Sequence, residues 1–75
     1  MREVKIGELY QHFKGHIYKI LLLGVHTETL QKMVIYQDTS DKSLIWCRPY
    51  DDFVSEVDKE KYPFVEQKYK FERIE

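Results

Sequence analysis

The stretch Ile17-Tyr18-Lys19-Ile20-Leu21-Leu22-Leu23-Gly24-Val25 decides the fold of this 75-residue chain. It contains the longest apolar run in the sequence, six residues from Ile20 to Val25, which is too short to cross a bilayer. The stretch has no apolar period of 3.6 residues, and glycines stand near both of its ends, so a helix is disfavoured. We therefore predict a central β-strand over His16–Val25, apolar on both faces, with a bulge or bend near Gly24.

Further short strands are predicted on either side of this one. Their segments are Leu9–Phe13, Met33–Gln37, Leu44–Arg48 and a last strand around Tyr69 and Phe71. Lys14-Gly15 supplies the first hairpin turn, because glycine readily adopts a positive φ. Pro49 has no ladder donor and ends the fourth strand. One helical turn is predicted at 50–54, with Asp51 or Asp52 as its cap.

The predicted fold class is all-β (mainly β). About five short antiparallel strands in so small a chain would leave two exposed edges if the sheet stayed flat. Curling into a small SH3-like, partly closed barrel buries those edges and the apolar central strand. Hydrophobic residues make up 43% of the chain, and they include six tyrosines, four phenylalanines and one tryptophan. This content predicts a single domain over residues 1–75 that folds without disulfide or metal staples.

Charge and cysteine content restrict the possible partners. One third of the residues are charged, but the net charge is only -1, which favours neither nucleic acid nor an anionic membrane. A local basic patch remains compatible with that value. Lysines interleaved with the aromatic residues could form a face for single-stranded nucleic acid, but carboxylates among them weaken its field. The lysines are Lys14, Lys19, Lys32 and Lys42, and the carboxylates are Glu8, Glu28, Asp38 and Asp41. The single cysteine, Cys47, has no partner for an internal disulfide, and the first residues lack the apolar region of a signal peptide. We expect a soluble cytoplasmic protein with no cofactor.

Several short motifs occur in a fixed order along the chain. They are Tyr10-x-His12-Phe13-Lys14-Gly15, Tyr18, His26-Thr27-Glu28-Thr29, Val34-x-Tyr36-Gln37, Trp46-x-Arg48-Pro49 and Phe53. Together, from Gly7 to about Phe53 and more weakly near the C-terminus, they resemble the small bacterial domain of unknown function family 1653. The resemblance implies a bacterial source and a compact β domain that often occurs alone, and it implies no activity. It also leads us to expect more apolar residues where this sequence has Cys47 and Asp52.

Trp46 and Arg48 form one candidate binding pair. They are two residues apart in a predicted strand, so they share a face. Such a pair can bind a planar or anionic ligand by stacking and through the guanidinium fork. It can equally be internal, with Trp46 covering the barrel and Arg48 paired to Glu28 or Asp51. Tyr36, on the preceding strand, could line the same surface.

The segment His26-Thr27-Glu28-Thr29 is the second candidate. A histidine exchanges protons near neutral pH, and a carboxylate two residues away can tune it. The alternative is a polar turn in which these side chains cap backbone amides.

A metal site or a thiol enzyme is a weaker interpretation. The side chains that could ligate a metal are His12, His16, His26, Glu28 and Cys47, and no pair of them has a zinc-type spacing. His12 and His16 flank the predicted hairpin turn, which is the only geometric hint of a shared ligand. Cys47 is expected to be a small packed residue.

The predicted function is a non-catalytic binding module. Its ligand-binding residues would be His26, Glu28, Tyr36, Trp46 and Arg48, converging in one patch. A protein, a peptide or a nucleotide-like ligand fits such a patch equally well, and the patch requires Trp46 to be partly exposed. The alternatives are a small enzyme or metal-dependent protein that uses His26 and Glu28, and a structural or oligomer-forming module. The sequence leaves the oligomeric state open.

Overall fold

Five β-strands and one short helix make up the regular structure of the computed structural model, which describes residues 3–74. They are β1 (Leu9–His12), β2 (Ile17–Val25), β3 (Lys32–Asp38), β4 (Ile45–Pro49), α1 (Tyr50–Phe53) and β5 (Phe71–Arg73). The strands form one antiparallel sheet in the order β4-β3-β2-β1-β5. The mainly β fold class and the short helical turn are thus confirmed. β4 and β5 are the two edges and do not pair with each other, so the sheet is not closed.

The central strand β2 carries a bulge that aligns its apolar side chains with the core. The pairing of β2 with β3 shifts register between Ile20 and Leu22, so the irregularity falls at Leu21. The prediction of a bulge near Gly24 is wrong, because Gly24 pairs regularly with Met33. One extra residue breaks the period of two, so Ile20 and Leu23 both contact the core although they are three positions apart.

The sheet curls strongly, which brings its distant strands together. In a flat sheet, β3 and β5 would lie about 14 Å apart, since neighbouring strands are spaced by about 4.8 Å. The ring centroids of Tyr36 on β3 and Phe71 on β5 are nevertheless only 5.5 Å apart. The guanidinium carbon of Arg48, on the opposite edge strand β4, lies 5.1 Å from the centroid of the Phe71 ring. The two edges therefore face each other across a shared core without a hydrogen-bonded seam.

Phe53 of α1 fills the inside of this curl. Its side chain is fully buried and stacks on Phe71, with ring centroids 4.1 Å apart and an interplanar angle of 11°. Tyr10 and Tyr36 approach Phe53 at 5.3 and 5.4 Å with steeply tilted rings. The short helix is thus held mainly by the aromatic side chain that it buries.

Asp52 does not cap α1, and neither does Asp51. The residue before the helix is Pro49, and no side chain of residues 3–74 caps the helix start. The Asp52 carboxylate instead accepts hydrogen bonds from Arg48 at 2.6 Å and from Lys70 at 2.7 Å. It thereby links β4 and α1 to the residue that precedes β5, a role that an apolar residue at this position could not have.

The segment between α1 and β5 consists mainly of turns. Asp58 caps one of them by accepting hydrogen bonds from the amides of Glu60 and Lys61. The predicted last strand is shorter than expected, since Tyr69 forms only an isolated bridge with Glu56 before β5 begins. Within residues 3–74, no helix combines the length and the hydrophobicity that a membrane span requires.

Candidate functional site

One end of the curled sheet opens into two adjoining pockets. The Trp46 pocket, of about 280 Å³, is lined by His12, Lys14, His16, Tyr18, Tyr36, Trp46, Arg48 and Phe71. The Tyr62 pocket, of about 330 Å³, is lined by His12, Phe13, Lys14, Arg48, Asp58, Lys61, Tyr62 and Lys70. His12, Lys14 and Arg48 line both pockets, so the two form one continuous cleft with these three residues at its middle. We call the pair of pockets the cleft.

Arg48 is held rigidly at the middle of the cleft. Its Nε donates a hydrogen bond to the Tyr36 hydroxyl at 3.2 Å, and its Nη1 donates to Asp52 at 2.6 Å. The guanidinium also lies over the Phe71 ring. Burial lowers the pKa of Arg48, but the bonds to Tyr36 and Asp52 outweigh it and the net shift is upward. Within residues 3–74, Nη2 has no hydrogen-bond partner, so one edge of a fixed cation is available to a ligand.

Trp46 forms the aromatic rim of the Trp46 pocket. It lies opposite Tyr36 in the β3–β4 ladder and on the same face as Arg48. Its side chain is 47% exposed, so the expectation of a partly exposed tryptophan is confirmed. The internal alternative paired Arg48 with Glu28 or Asp51, and the structure pairs it with Asp52 instead.

His12 contributes a neutral hydrogen-bond donor. Its Nδ1 accepts a hydrogen bond from the Lys14 amide at 3.1 Å, which assigns the proton of the neutral ring to Nε2. Burial, followed by the charges of Arg48 and Lys14, lowers the pKa of His12 to about 4. The ring is therefore uncharged at neutral pH, and within the described chain its Nε2–H has no acceptor.

His16 lines the Trp46 pocket, and Asp38 lies beside it. His16 Nδ1 lies 3.8 Å from the buried Asp38 carboxylate, and Ser40 donates two hydrogen bonds to that carboxylate. These bonds from Ser40 are the largest cause of the lowered pKa of Asp38. Across residues 3–74, no three His, Cys, Asp or Glu side chains are grouped so that they could hold a metal ion.

Sequence reasoning missed His12 and Lys14 as residues of this cleft. The available signal was the Gly15 turn, which fixes how β1 and β2 pair and therefore which side chains meet at this end. Gly15 has a φ of 104°, and its amide donates to the His12 carbonyl at 2.8 Å. The histidines at this hairpin were considered only as metal ligands, not as hydrogen-bond donors.

The structure brings Tyr36, Trp46 and Arg48 together and separates them from His26 and Glu28. Tyr36 pairs with Ile20, whereas the last pair of the β2–β3 hairpin is Val25 with Lys32. Five strand residues span about 16 Å, so the loop that follows Val25 lies at the opposite end of the sheet. The five predicted residues therefore do not form one patch.

His26 stabilises its own loop. Its Nδ1 accepts hydrogen bonds from the amides of Glu28 at 3.2 Å and Thr29 at 3.3 Å. The Thr29 hydroxyl accepts a bond from the Gln31 amide, and Leu30 has a positive φ of 61°. This geometry is that of a polar turn whose side chains cap backbone amides, one of the two interpretations of this segment.

Cys47 is exposed, so the prediction of a packed cysteine is wrong. It pairs with Ile35 on the outer face of the sheet, opposite to the face that carries Arg48. The alternation along β4 therefore keeps the thiol outside the cleft.

A larger hollow elsewhere has less to offer a ligand. It measures about 490 Å³ and lies between the start of the described chain and β3. Its one ring is Tyr50, which already has the Lys32 ammonium 4.5 Å from its centroid and whose hydroxyl accepts a bond from the Val4 amide. The cleft, by contrast, brings together aromatic rings and polar groups that still have hydrogen bonds to offer a ligand.

The fold and the cleft define a class of protein: a small all-β domain that gathers cations and aromatic rings at one open end of a curled sheet. The family described as "Protein of unknown function (DUF1653)" has a model that matches residues 8–73, and the chain belongs to this family. The resemblance is thereby confirmed, and it extends past Phe53 to the end of β5. The comparisons with curated proteins and with solved structures found no match.

Proposed function

We propose that this protein is a non-catalytic binding module whose cleft takes an anionic ligand with a planar group, such as a nucleotide. The observation that carries the proposal is the convergence of a half-exposed Trp46 with the free Nη2 of Arg48 and the free Nε2–H of His12. These groups line one pocket of about 280 Å³. They are the groups that recognise a ring and an adjacent anion.

The anionic end of the ligand would lie at Arg48, His12 and Lys14. Arg48 and His12 each present one donor already fixed in place by other bonds, so binding costs little side-chain entropy. Within residues 3–74, Lys14 has no carboxylate partner, and its ammonium rests near the Phe13 and Tyr62 rings. An anion bound at this position would give the Lys14 ammonium a charged partner.

The planar group would stack on Trp46. An indole with about half of its surface exposed gains contact area when a ring covers it, and Tyr36 and Tyr18 behind it extend the aromatic wall. This arrangement supports binding rather than acid–base chemistry, because His12 Nδ1 is occupied by the Lys14 amide. His26 and Glu28, on which the enzyme alternative depended, lie outside the cleft.

Amide-shift NMR titration tests this proposal. Thymidine 5′-monophosphate should shift the signals of Tyr36, Trp46 and Arg48 and leave His26 and Glu28 in place. Thymidine without phosphate and inorganic phosphate without a base should each bind more weakly. Shifts centred on the His26 loop, or none at millimolar nucleotide, would overturn the proposal.

A matched pair of lysine variants sharpens the test. Lys14→Gln should weaken nucleotide binding by roughly three- to fivefold, since one partly screened ion pair contributes about 1 kcal/mol or less. Lys19→Gln removes the same charge from the outer face, where Lys19 pairs with Gln37, and should leave affinity unchanged. Equal effects of the two variants would contradict a specific anion site.

A second candidate function, self-association, is favoured by the edge strand β4. Within the described chain β4 pairs only with β3, and Ile45, Trp46 and Cys47 are all exposed. Exposed apolar edges are ready to pair with another copy. Sedimentation velocity should then show a dimer that Ile45→Lys dissociates, and a monomer at every concentration would exclude it.

We also propose a bacterial cytosolic location. The supporting observation is that Cys47 is both unpaired and exposed, a state that a reducing compartment preserves. Fractionation of a bacterial host of this protein should recover it with cytosolic markers, and recovery from the periplasm would contradict the proposal.

A further inference from the structure

Tyr62 forms a second aromatic platform at the other end of the cleft. Its ring lies 4.9 Å from that of Phe13. The ammonium groups of Lys14 and Lys61 lie 5.6 and 5.5 Å from the Tyr62 centroid. Each ring lines one pocket only: Tyr62 lines the Tyr62 pocket, and Trp46 lines the Trp46 pocket. The order along the cleft is therefore ring, cations, ring.

The turn that presents Tyr62 is itself fixed. The Tyr62 amide donates to the Asp58 carbonyl at 2.8 Å, and the Asp58 carboxylate caps the amides of Glu60 and Lys61. The Lys59 ammonium donates to the carbonyls of Val65 and Gln67 and closes the loop behind it. A platform held in this way is pre-organised, which reduces the entropic cost of stacking.

The local charge favours an anion, although the whole chain does not. The cations that line the cleft are Lys14, Arg48, Lys61 and Lys70. One carboxylate, Asp58, lines it, and two more, Asp52 and Asp38, adjoin it. Asp52 is engaged by Arg48 and Lys70, and Asp38 is buried and bonded to Ser40. Within the described chain, Lys14 and Lys61 have no ion-pair partner and remain available to a phosphate.

We propose that the cleft binds single-stranded nucleic acid as one base–phosphate–base step. One base stacks on Trp46, the next stacks on Tyr62, and the linking phosphate lies at Arg48, His12 and Lys14. The inference rests on the proposed function and extends it from a nucleotide to a strand. Single strands alternate planar bases with phosphates, which is the alternation that the cleft presents, and base–aromatic stacking tolerates any base.

The net charge of -1 fits this mode of binding. It argues against a long electrostatic groove, and the cleft has room for one linking phosphate among its cations. The logarithm of affinity should therefore fall with the logarithm of salt concentration with a slope of only about −0.7 to −1.4, as for one or two phosphates on a single strand.

The test compares three probes by the fluorescence of Trp46, the only tryptophan in the chain. Thymidylyl-thymidine has two bases and one linking phosphate, whereas thymidine 5′-monophosphate has one base and more negative charge. We expect the dinucleotide to bind about tenfold more tightly, because the second base gains a stacking partner. The third probe, the peptide Phe-phosphoserine-Phe, also has a ring–phosphate–ring order and represents a protein partner.

Variants locate the second base. Tyr62→Ala should reduce dinucleotide affinity about tenfold and monophosphate affinity much less, since the monophosphate meets Tyr62 only through the Lys14 ammonium near the ring. Tyr62→Leu keeps apolar packing on Phe13 if the alanine variant fails to fold, and it should give the same loss. Phe64→Ala is the matched control, since Phe64 is 95% exposed in the same segment and lines neither pocket.

The outcomes separate the two proposals. A dinucleotide advantage that depends on Tyr62 supports the strand-binding inference. If the monophosphate binds in the cleft but the dinucleotide has no advantage, or if the peptide binds more tightly, the inference fails and the proposed function stands. If neither nucleotide binds in the cleft, both fail.

Discussion

Arg48 shows how one side chain can serve the fold and the cleft together. The Tyr36 hydroxyl, Asp52 and the Phe71 ring use two of its nitrogens and its guanidinium face. Among the residues that the structure describes, Nη2 has no partner. An arginine can do this because its guanidinium is planar and offers donors in several fixed directions. A lysine at position 48 has one compact charge and cannot make the same set of contacts.

Replacing Arg48 by lysine should therefore destabilise the protein although the charge is kept. We expect Arg48→Lys to lower the free energy of unfolding by about 1–2 kcal/mol, because at least one charge-assisted hydrogen bond is lost. Urea denaturation followed by circular dichroism measures this. Arg73→Lys is the control, since Arg73 is largely exposed and a lysine keeps the charge beside Glu8, so the loss should be less than about 0.5 kcal/mol. Equal losses of unfolding free energy in both variants would mean that the specific contacts of Arg48 add nothing to stability.

The lowered pKa of His12 makes stability depend on pH in a defined window. The pKa is about 4 in the folded protein against an ordinary value of 6.5, so between these values the unfolded chain binds the proton more tightly. The free energy of unfolding should thus be highest above pH 6.5 and fall as the pH drops towards 4. His12→Gln should remove this part of the dependence, as measured by urea unfolding at several pH values. Parallel pH curves for the two proteins would contradict the assignment.

At the scale of elements, the first hairpin depends on one backbone conformation. Gly15 has a φ of 104°, which side chains other than glycine adopt only with strain. Gly15→Ala should cost about 1–3 kcal/mol of stability. The effect should also reach the cleft, because this turn positions His12 and Lys14.

Gly24→Ala is the matched control within β2. Gly24 has no positive φ, and an added Cβ would meet Ile35 Cδ1 at 3.5 Å, an ordinary contact. Alanine there should be neutral or stabilising by up to about 1 kcal/mol, because it reduces the freedom of the unfolded chain. Thermal unfolding of both variants gives the comparison, and a larger loss at Gly24 would reverse the roles assigned to the two glycines.

Strands and turns were predictable at this scale because their signals are local. Glycine in the Lys14-Gly15 turn, proline at the end of β4 and the β-rich run of β2 each act within a few residues. The bulge was misplaced because its cause is tertiary: β2 must direct both Ile20 and Leu23 into the core, and the glycine nearby is not needed for that.

The residues of the site were predictable in part, for a similar reason. Trp46 and Arg48 share a face by simple alternation, whereas the distance from the His26 loop follows from the register of a long hairpin.

At the scale of the whole molecule, Phe71 joins the aromatic part of the core. Its ring contacts those of Phe53, Tyr36, Tyr18 and His12, which come from α1 and three different strands. These contacts around one ring hold the sheet in its curled form. β5 is only three residues long, so we expect the aromatic contact to contribute more to holding this edge than its ladder with β1 does.

Phe71→Leu should therefore lower the free energy of unfolding by about 1–3 kcal/mol, through lost ring packing and an unfilled volume. The same change at Phe64, which is 95% exposed, should stay within about 0.5 kcal/mol. Chemical denaturation of both variants measures the difference. Equal stability of the two would show that β5 is held by its hydrogen bonds instead.

The pairing of β5 with β1 also has a consequence for biosynthesis. Tyr10 lies opposite Arg73 in this ladder, so β1 cannot complete its pairing until β5, which follows the other four strands in the chain, has been synthesised. While the ribosome still covers Phe71, the rings of Tyr10, Tyr36 and Phe53 lack the side chain around which they pack. The nascent domain therefore exposes an aromatic face until the segment that carries Phe71 has left the ribosome and packed against the earlier strands.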